Sequence, residues 1–174
     1  MSTRRLVLAV LLATSSQHAA HAQAGYTEDM PKSLQTDALT VMTYNMLQDF
    51  SVQVCNRLDG APKDDVAREV ARWKERNDGY IKSAAEVLDT FAARQAKLSG
   101  AEAGAKYTQD ALAAMIAQSV TAVRSQFRAA PDNSLIPPPR ACTAHAGKLA
   151  EGSYDFRNMG QVTQSLTQYM FRKK

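Results

Sequence analysis

The sequence predicts an all-α protein, a small antiparallel bundle of about four helices that includes one long αα-hairpin and is tied by one long-range disulfide. Three observations carry that expectation. Apolar residues recur at intervals of three and four along four separate stretches. Sharp breaks fall at Leu98-Ser99-Gly100 and across Pro131 to Pro139. The two cysteines, Cys55 and Cys142, lie 87 positions apart, which allows one bridge and no C-x-x-C redox or haem-attachment motif.

The N-terminus reads as a secretory signal. Arg4 and Arg5 precede the apolar run Leu6 to Ala13, and Ala20-His21-Ala22 supplies the small residues a signal peptidase needs, so cleavage is expected after Ala22. A bilayer core of ~30 Å needs ~20 apolar residues, so this run is too short to remain as an anchor. No cysteine directly follows it to take a lipid. Residues 23–174 then form a single helical domain, a length that supports one hydrophobic core. Two of the 21 basic residues leave with the signal, and the remaining 19 nearly balance 17 acidic ones. That is too nearly balanced to suggest a nucleic-acid binder.

The first helix is expected at about 33–57, where Leu39, Met42, Met46, Phe50 and Val54 share a face, although Thr40, Val41 and Val52 add strand character. The second, 62–98, is clearer. Pro62 suits a first turn, and Asp64 and Asp65 suit the positive end of the helix dipole. From there Val66, Val70, Trp73, Asn77, Tyr80, Ala84, Val87, Phe91 and Leu98 form one stripe along roughly 55 Å of helix. A bend is expected near Asn77 to Gly79, because Gly costs ~1 kcal/mol against Ala in a helix interior.

Ser99 and Glu102 fit a capping box for a third helix over 101–129, which buries Leu112, Ile116, Val120, Val123 and Phe127. So short a turn makes helices two and three antiparallel neighbours. Pro131-Asp132-Asn133 ends the third helix, and Pro137-Pro138-Pro139 forces extended backbone, so 130–152 reads as an irregular Pro-rich loop. Met159, Val162, Leu166 and Tyr169 mark a last helix over 154–171, with Arg172-Lys173-Lys174 complementing its negative end.

The hairpin brings residue 129 back beside residue 62, the end where Cys55 closes the first helix. Cys142 therefore arrives near Cys55. In the chain-entropy view, closing so long a loop stabilises the fold by roughly 4 to 5 kcal/mol. A pairing of this kind belongs to an oxidising compartment, and the expected location is the periplasm or the secreted medium.

Chemistry-bearing groups are few. His145 is the one histidine beyond the signal, and it is expected on the surface, so Ser-His-Asp and Cys-His arrangements have little to work with. A zinc site would have to use His145, Cys55 and Cys142 together and break the disulfide. Met30, Met42, Met46, Met115, Met159 and Met170 read as core fillers rather than copper ligands. No catalytic residue, cofactor or metal is assigned. The carboxylates Asp64, Asp65, Glu69, Glu75, Asp78, Glu86 and Asp89 share one helix and read mainly as solvated, helix-stabilising groups.

The most distinctive stretch is Arg68 to Tyr80. Arg68, Arg72 and Arg76 line one helix face, with Trp73, Asn77 and Tyr80 a step round. As an interaction face, the arginines would take carboxylate or phosphate groups while the rings anchor a partner. As structure, Asp64 to Arg68, Arg72 to Glu75 and Lys74 to Asp78 would be ion pairs, Trp73 and Tyr80 would pack inward, and Asn77 would fix register or meet the irregular loop. The structural role is the one the pattern favours.

The functional expectation is a non-enzymatic, exported interaction or scaffold protein that contacts another protein or a cell-envelope component. Two alternatives remain. One is an inhibitor or immunity protein that inserts the 131–150 loop into a secreted enzyme; the other is a hydrolase using carboxylates of the second helix.

Overall fold

Three helices, α1 (Lys32–Cys55), α2 (Ala61–Ser99) and α3 (Ala101–Arg124), run in alternating directions, with α2 touching both neighbours. The computed structural model describes residues 30–58, 60–124, 128–129 and 135–173. The signal segment, Pro131 to Asn133 and Phe127 lie outside the described residues, as do the side chains of Val120 and Val123. The fold is all-α. Its only strand pairing among the described residues is two residues long, Arg128–Ala129 against Leu135–Ile136.

Helix α2 follows its sequence pattern most closely. Val66, Val70, Trp73, Asn77, Ala84, Val87 and Phe91 are all buried, and each large apolar side chain so covered stabilises the fold by about 1.5 to 3 kcal/mol. The helix runs unbroken through Gly79, where the Met170 side chain occupies the space beside the missing Cβ. The stripe fails at its far end, where Leu98 is 69% exposed. Ser99 is the last residue of α2, not the cap of α3, and Gly100 alone makes the turn with φ of 95°. Only glycine adopts that conformation without strain.

Close helix contact near this turn depends on small residues. Gly104 faces the Ala92 carbonyl and Ala96, and a Cβ there would lie 2.5 Å from the former and 2.7 Å from the latter's Cβ. Further along, Gln35 of α1 hydrogen bonds Tyr107 of α3, and Thr43 Oγ1 lies 3.6 Å from Met115 Sδ.

Helix α1 does not bury the single face expected. Leu34, Asp37, Ala38, Val41, Thr43, Gln48, Val54 and Cys55 are buried, while Leu39, Met42, Met46 and Phe50 are half-buried. The reason is its central place: α1 touches α2, α3 and two C-terminal helices, and a helix covered on several sides has no single apolar stripe.

The largest correction concerns 130–152. Pro139–Ala150 is a helix, α4. Pro139 sits in the first turn, where its missing N–H costs nothing, and four alanines favour the conformation. Its buried face is Cys142, Ala146 and Leu149, residues too small to stand out as an apolar stripe. The last helix is correspondingly shorter. Turns at 151–154 and a 3₁₀ turn at Phe156–Asn158 precede α5 (Gln164–Arg172).

Successive contacts show how α4 and α5 lie on the other helices. Cys142 is bonded to Cys55 with Cα atoms 6.0 Å apart, at the end expected from the hairpin geometry. His145 meets Gln48, Phe156 meets Tyr44, and the start of α5 meets Asp37. The chain thus climbs past α1 from its C-terminus toward its N-terminus, alongside α2. The fourth member of the bundle is one long helix path broken in the middle.

Candidate functional site

The break between α4 and α5 is where the sequence's most distinctive residues converge. A helix that stops inside a bundle leaves carbonyl and N–H groups without partners, and burying them unpaired is costly. Gly152 begins the solution. Its φ of 72° closes α4 with paired bonds, Gly152 N to Leu149 O at 3.1 Å and Ser153 N to Lys148 O at 3.0 Å, the Schellman arrangement.

Helix α2 supplies the rest. The Arg76 guanidinium donates through NH2 to the Leu149 carbonyl at 2.6 Å and through Nε to Asp155 Oδ2 at 3.0 Å. Asn77 accepts from the Phe156 N–H at 2.8 Å, and its amide donates to the Trp73 carbonyl and to Asp155 Oδ1 at 2.8 and 3.3 Å. Trp73 Nε1 donates to the Tyr154 carbonyl at 2.9 Å. Asn158 donates to the Gly152 carbonyl, and Thr163 to that of Phe156. Below this polar layer Phe156 is fully buried, with ring centroids 5.3 Å from Trp73, 5.7 Å from Tyr80 and 6.1 Å from Tyr44. Edge and tilted ring pairs of this kind add about 0.5 to 1.5 kcal/mol beyond burial.

Two further contacts secure the flanks. Asp37 of α1 accepts from the Ser165 and Leu166 N–H groups at 2.7 and 3.1 Å, and so caps α5 from another helix. His145 Nε2 is 2.9 Å from Gln48 Oε1, and its ring lies 5.5 Å from that of Tyr154. Burial, followed by the Lys148 charge, holds the His145 imidazole below its ordinary pKa. His145 is therefore a half-buried helical residue of α4, not the loop-surface group expected.

The six residues singled out in α2 divide. Trp73 and Asn77 point inward, the latter 2% exposed. Tyr80 packs on Phe156, with its hydroxyl 3.2 Å from that of Thr167. Arg76 reaches into the break. Arg68 and Arg72 stay outside, 52% and 60% exposed, and hold the buried Glu69 carboxylate between them at 3.2 and 3.0 Å. The ion pairs differ from those expected: Arg68 meets Asp65, Arg72 meets Glu69, and Lys74 crosses to Asp49 of α1 at 2.6 Å. Asp78 pairs with Lys82, and Glu86 with Lys173.

Asp155, Phe156, Asp37 and Gln48 escaped the sequence reading. A signal existed for Asp155, which is the only acidic residue from 152 onward. Asn77, polar within an apolar stripe, demanded a buried partner of this kind.

The Asp155 carboxylate receives bonds from the side chains of Arg76, Asn77 and Arg157, so its chemistry is that of a buried acceptor holding neighbouring side chains, not of a base open to substrate. Among the described residues, no group of three or more His, Cys, Asp or Glu side chains is placed to hold a metal, and no helix is long and apolar enough to cross a membrane. No protein-family model, curated protein or solved structure matches the chain.

Proposed function

We propose that this is an exported, non-catalytic interaction protein that contacts another protein or a component of the cell envelope. Support for export comes from the charged, apolar and small-residue pattern of residues 1–22 and from the intramolecular disulfide. Support for a binding role comes from one observation: Leu98, the last member of the α2 stripe, is uncovered at the turn between α2 and α3. A leucine that carries the buried α2 stripe on into solvent leaves an apolar side chain open to a second molecule. The inhibitor alternative depended on a cleft-entering loop at 131–150, and Pro139–Ala150 instead packs a buried face on the bundle.

The test is site-specific photocrosslinking in living cells with the reactive group at position 98 and, as control, at exposed Glu75. A discrete adduct at 98 only is expected, lost on adding Leu98→Asp at unchanged melting temperature to a chain carrying the probe at neighbouring Lys97. Equal labelling at both sites, or none, would count against the proposal.

A further inference from the structure

The disulfide and the polar knot fasten the same segment at different points. Cys142 lies in the first turns of α4, whereas the bonds from Trp73, Arg76 and Asn77 fall at Leu149, Tyr154, Asp155 and Phe156. None of these bonds involves sulfur. Between the two fastenings, Gln48 holds His145, and Ala146 and Leu149 are buried. The α4 segment therefore has a complete set of noncovalent contacts that place Cys142 opposite Cys55. Both sulfur-bearing residues are themselves buried, at 1% and 3% exposure.

We infer that the Trp73-Arg76-Asn77 knot docks α4 on the bundle whether or not the sulfurs are joined, so that the disulfide reinforces a contact it does not create. Trp73 and Asn77 are then positioning residues for the Cys55–Cys142 bond. Linkage makes the relation reciprocal: docking raises the effective concentration of one thiol at the other by the factor with which the bond in turn favours docking. Reduction weakens docking by that same factor but leaves α4 in place, and undocking follows only when the knot is also weakened.

The reaction that reads this out is thiol–disulfide exchange. The Cys55 and Cys142 thiols reduce one glutathione disulfide to two glutathione thiols; one S–S bond breaks, one forms, and both protons pass to glutathione. The full mature chain is equilibrated in glutathione buffers and its oxidised fraction counted by thiol alkylation and mass spectrometry. Trp73→Phe removes the donor to the Tyr154 carbonyl and part of the buried ring packed on Phe156, and Asn77→Ala removes the bonds to the Phe156 N–H, the Trp73 carbonyl and Asp155. Each is expected to lower the effective concentration by at least about fivefold to tenfold, the size of one buried hydrogen bond. Lys82→Ala, an exposed site away from the knot, leaves it unchanged. Equal values in all four chains overturn the inference.

A second measurement does not rely on those variants. In the Cys55→Ala, Cys142→Ala chain, amides of Thr143 to Ala150 stay protected from hydrogen exchange as those of α2 do. Protection lost from α4, alone or with the rest of the bundle, overturns the inference as well.

Discussion

Replacing Asp155 with alanine removes the acceptor at the centre of the knot. Its carboxylate is 2% exposed and takes Arg76 Nε at 3.0 Å, while the Arg76 side chain is 31% exposed. Breaking a buried ion pair by deleting one partner costs ~3 to 5 kcal/mol. Arg76 keeps its bond to the Leu149 carbonyl and reaches water, which puts this case at the low end. The contacts from Asn77 and Arg157, at 3.3 and 3.4 Å, are long and add little. The expected loss is about 3 kcal/mol, or roughly 10 °C in melting temperature for a domain of this size. Urea unfolding measures it, with an unchanged m-value showing that the same surface is exposed. Arg76→Ala should cost a similar amount, and the double variant less than the sum by about 2 kcal/mol. An Asp155→Ala loss under 1 kcal/mol, or additive single losses, would refute the reading of the knot as a coupled structural unit.

Four other perturbations test separate parts of the account. Gly104→Leu forces a side chain into the Ala92 and Ala96 backbone and should destabilise by at least about 2 kcal/mol, whereas Gly147→Ala, with open space around it in α4, should stabilise by roughly 0.5 to 1 kcal/mol in the same urea assay. Asp37→Ala uncaps α5 and should cost about 1 to 2 kcal/mol, with the amides of Ser165 and Leu166 losing hydrogen-exchange protection first. For His145, the lowered folded pKa means protonation favours the unfolded chain: its contribution is complete above about 6.5, the unfolded value, and is lost as pH falls from there through the folded value. His145→Gln should therefore flatten the stability change between pH 7.5 and 5.5, and identical slopes in the two proteins would dispose of that assignment.

The sequence by itself determined what depends on near neighbours along the chain. The long α2 helix, the tight return into α3 and the approximate end at which the cysteines meet follow from three-to-four spacing and turn residues, signals that act within a few positions. Helix α4 was hidden because its inner face is made of cysteine, alanine and a single leucine, and two prolines stand before it with a third in its first turn. Only the tertiary structure decided whether the Arg68 to Tyr80 stretch faces water or a core. Asn77 and Phe156 are 79 positions apart, and neither residue's surroundings contain the other until the chain is folded. An arginine and an asparagine on a helix are equally consistent with a binding face and with the repair of a broken neighbour. The carbonyls and N–H groups that need repair exist only once α4 has stopped beside them.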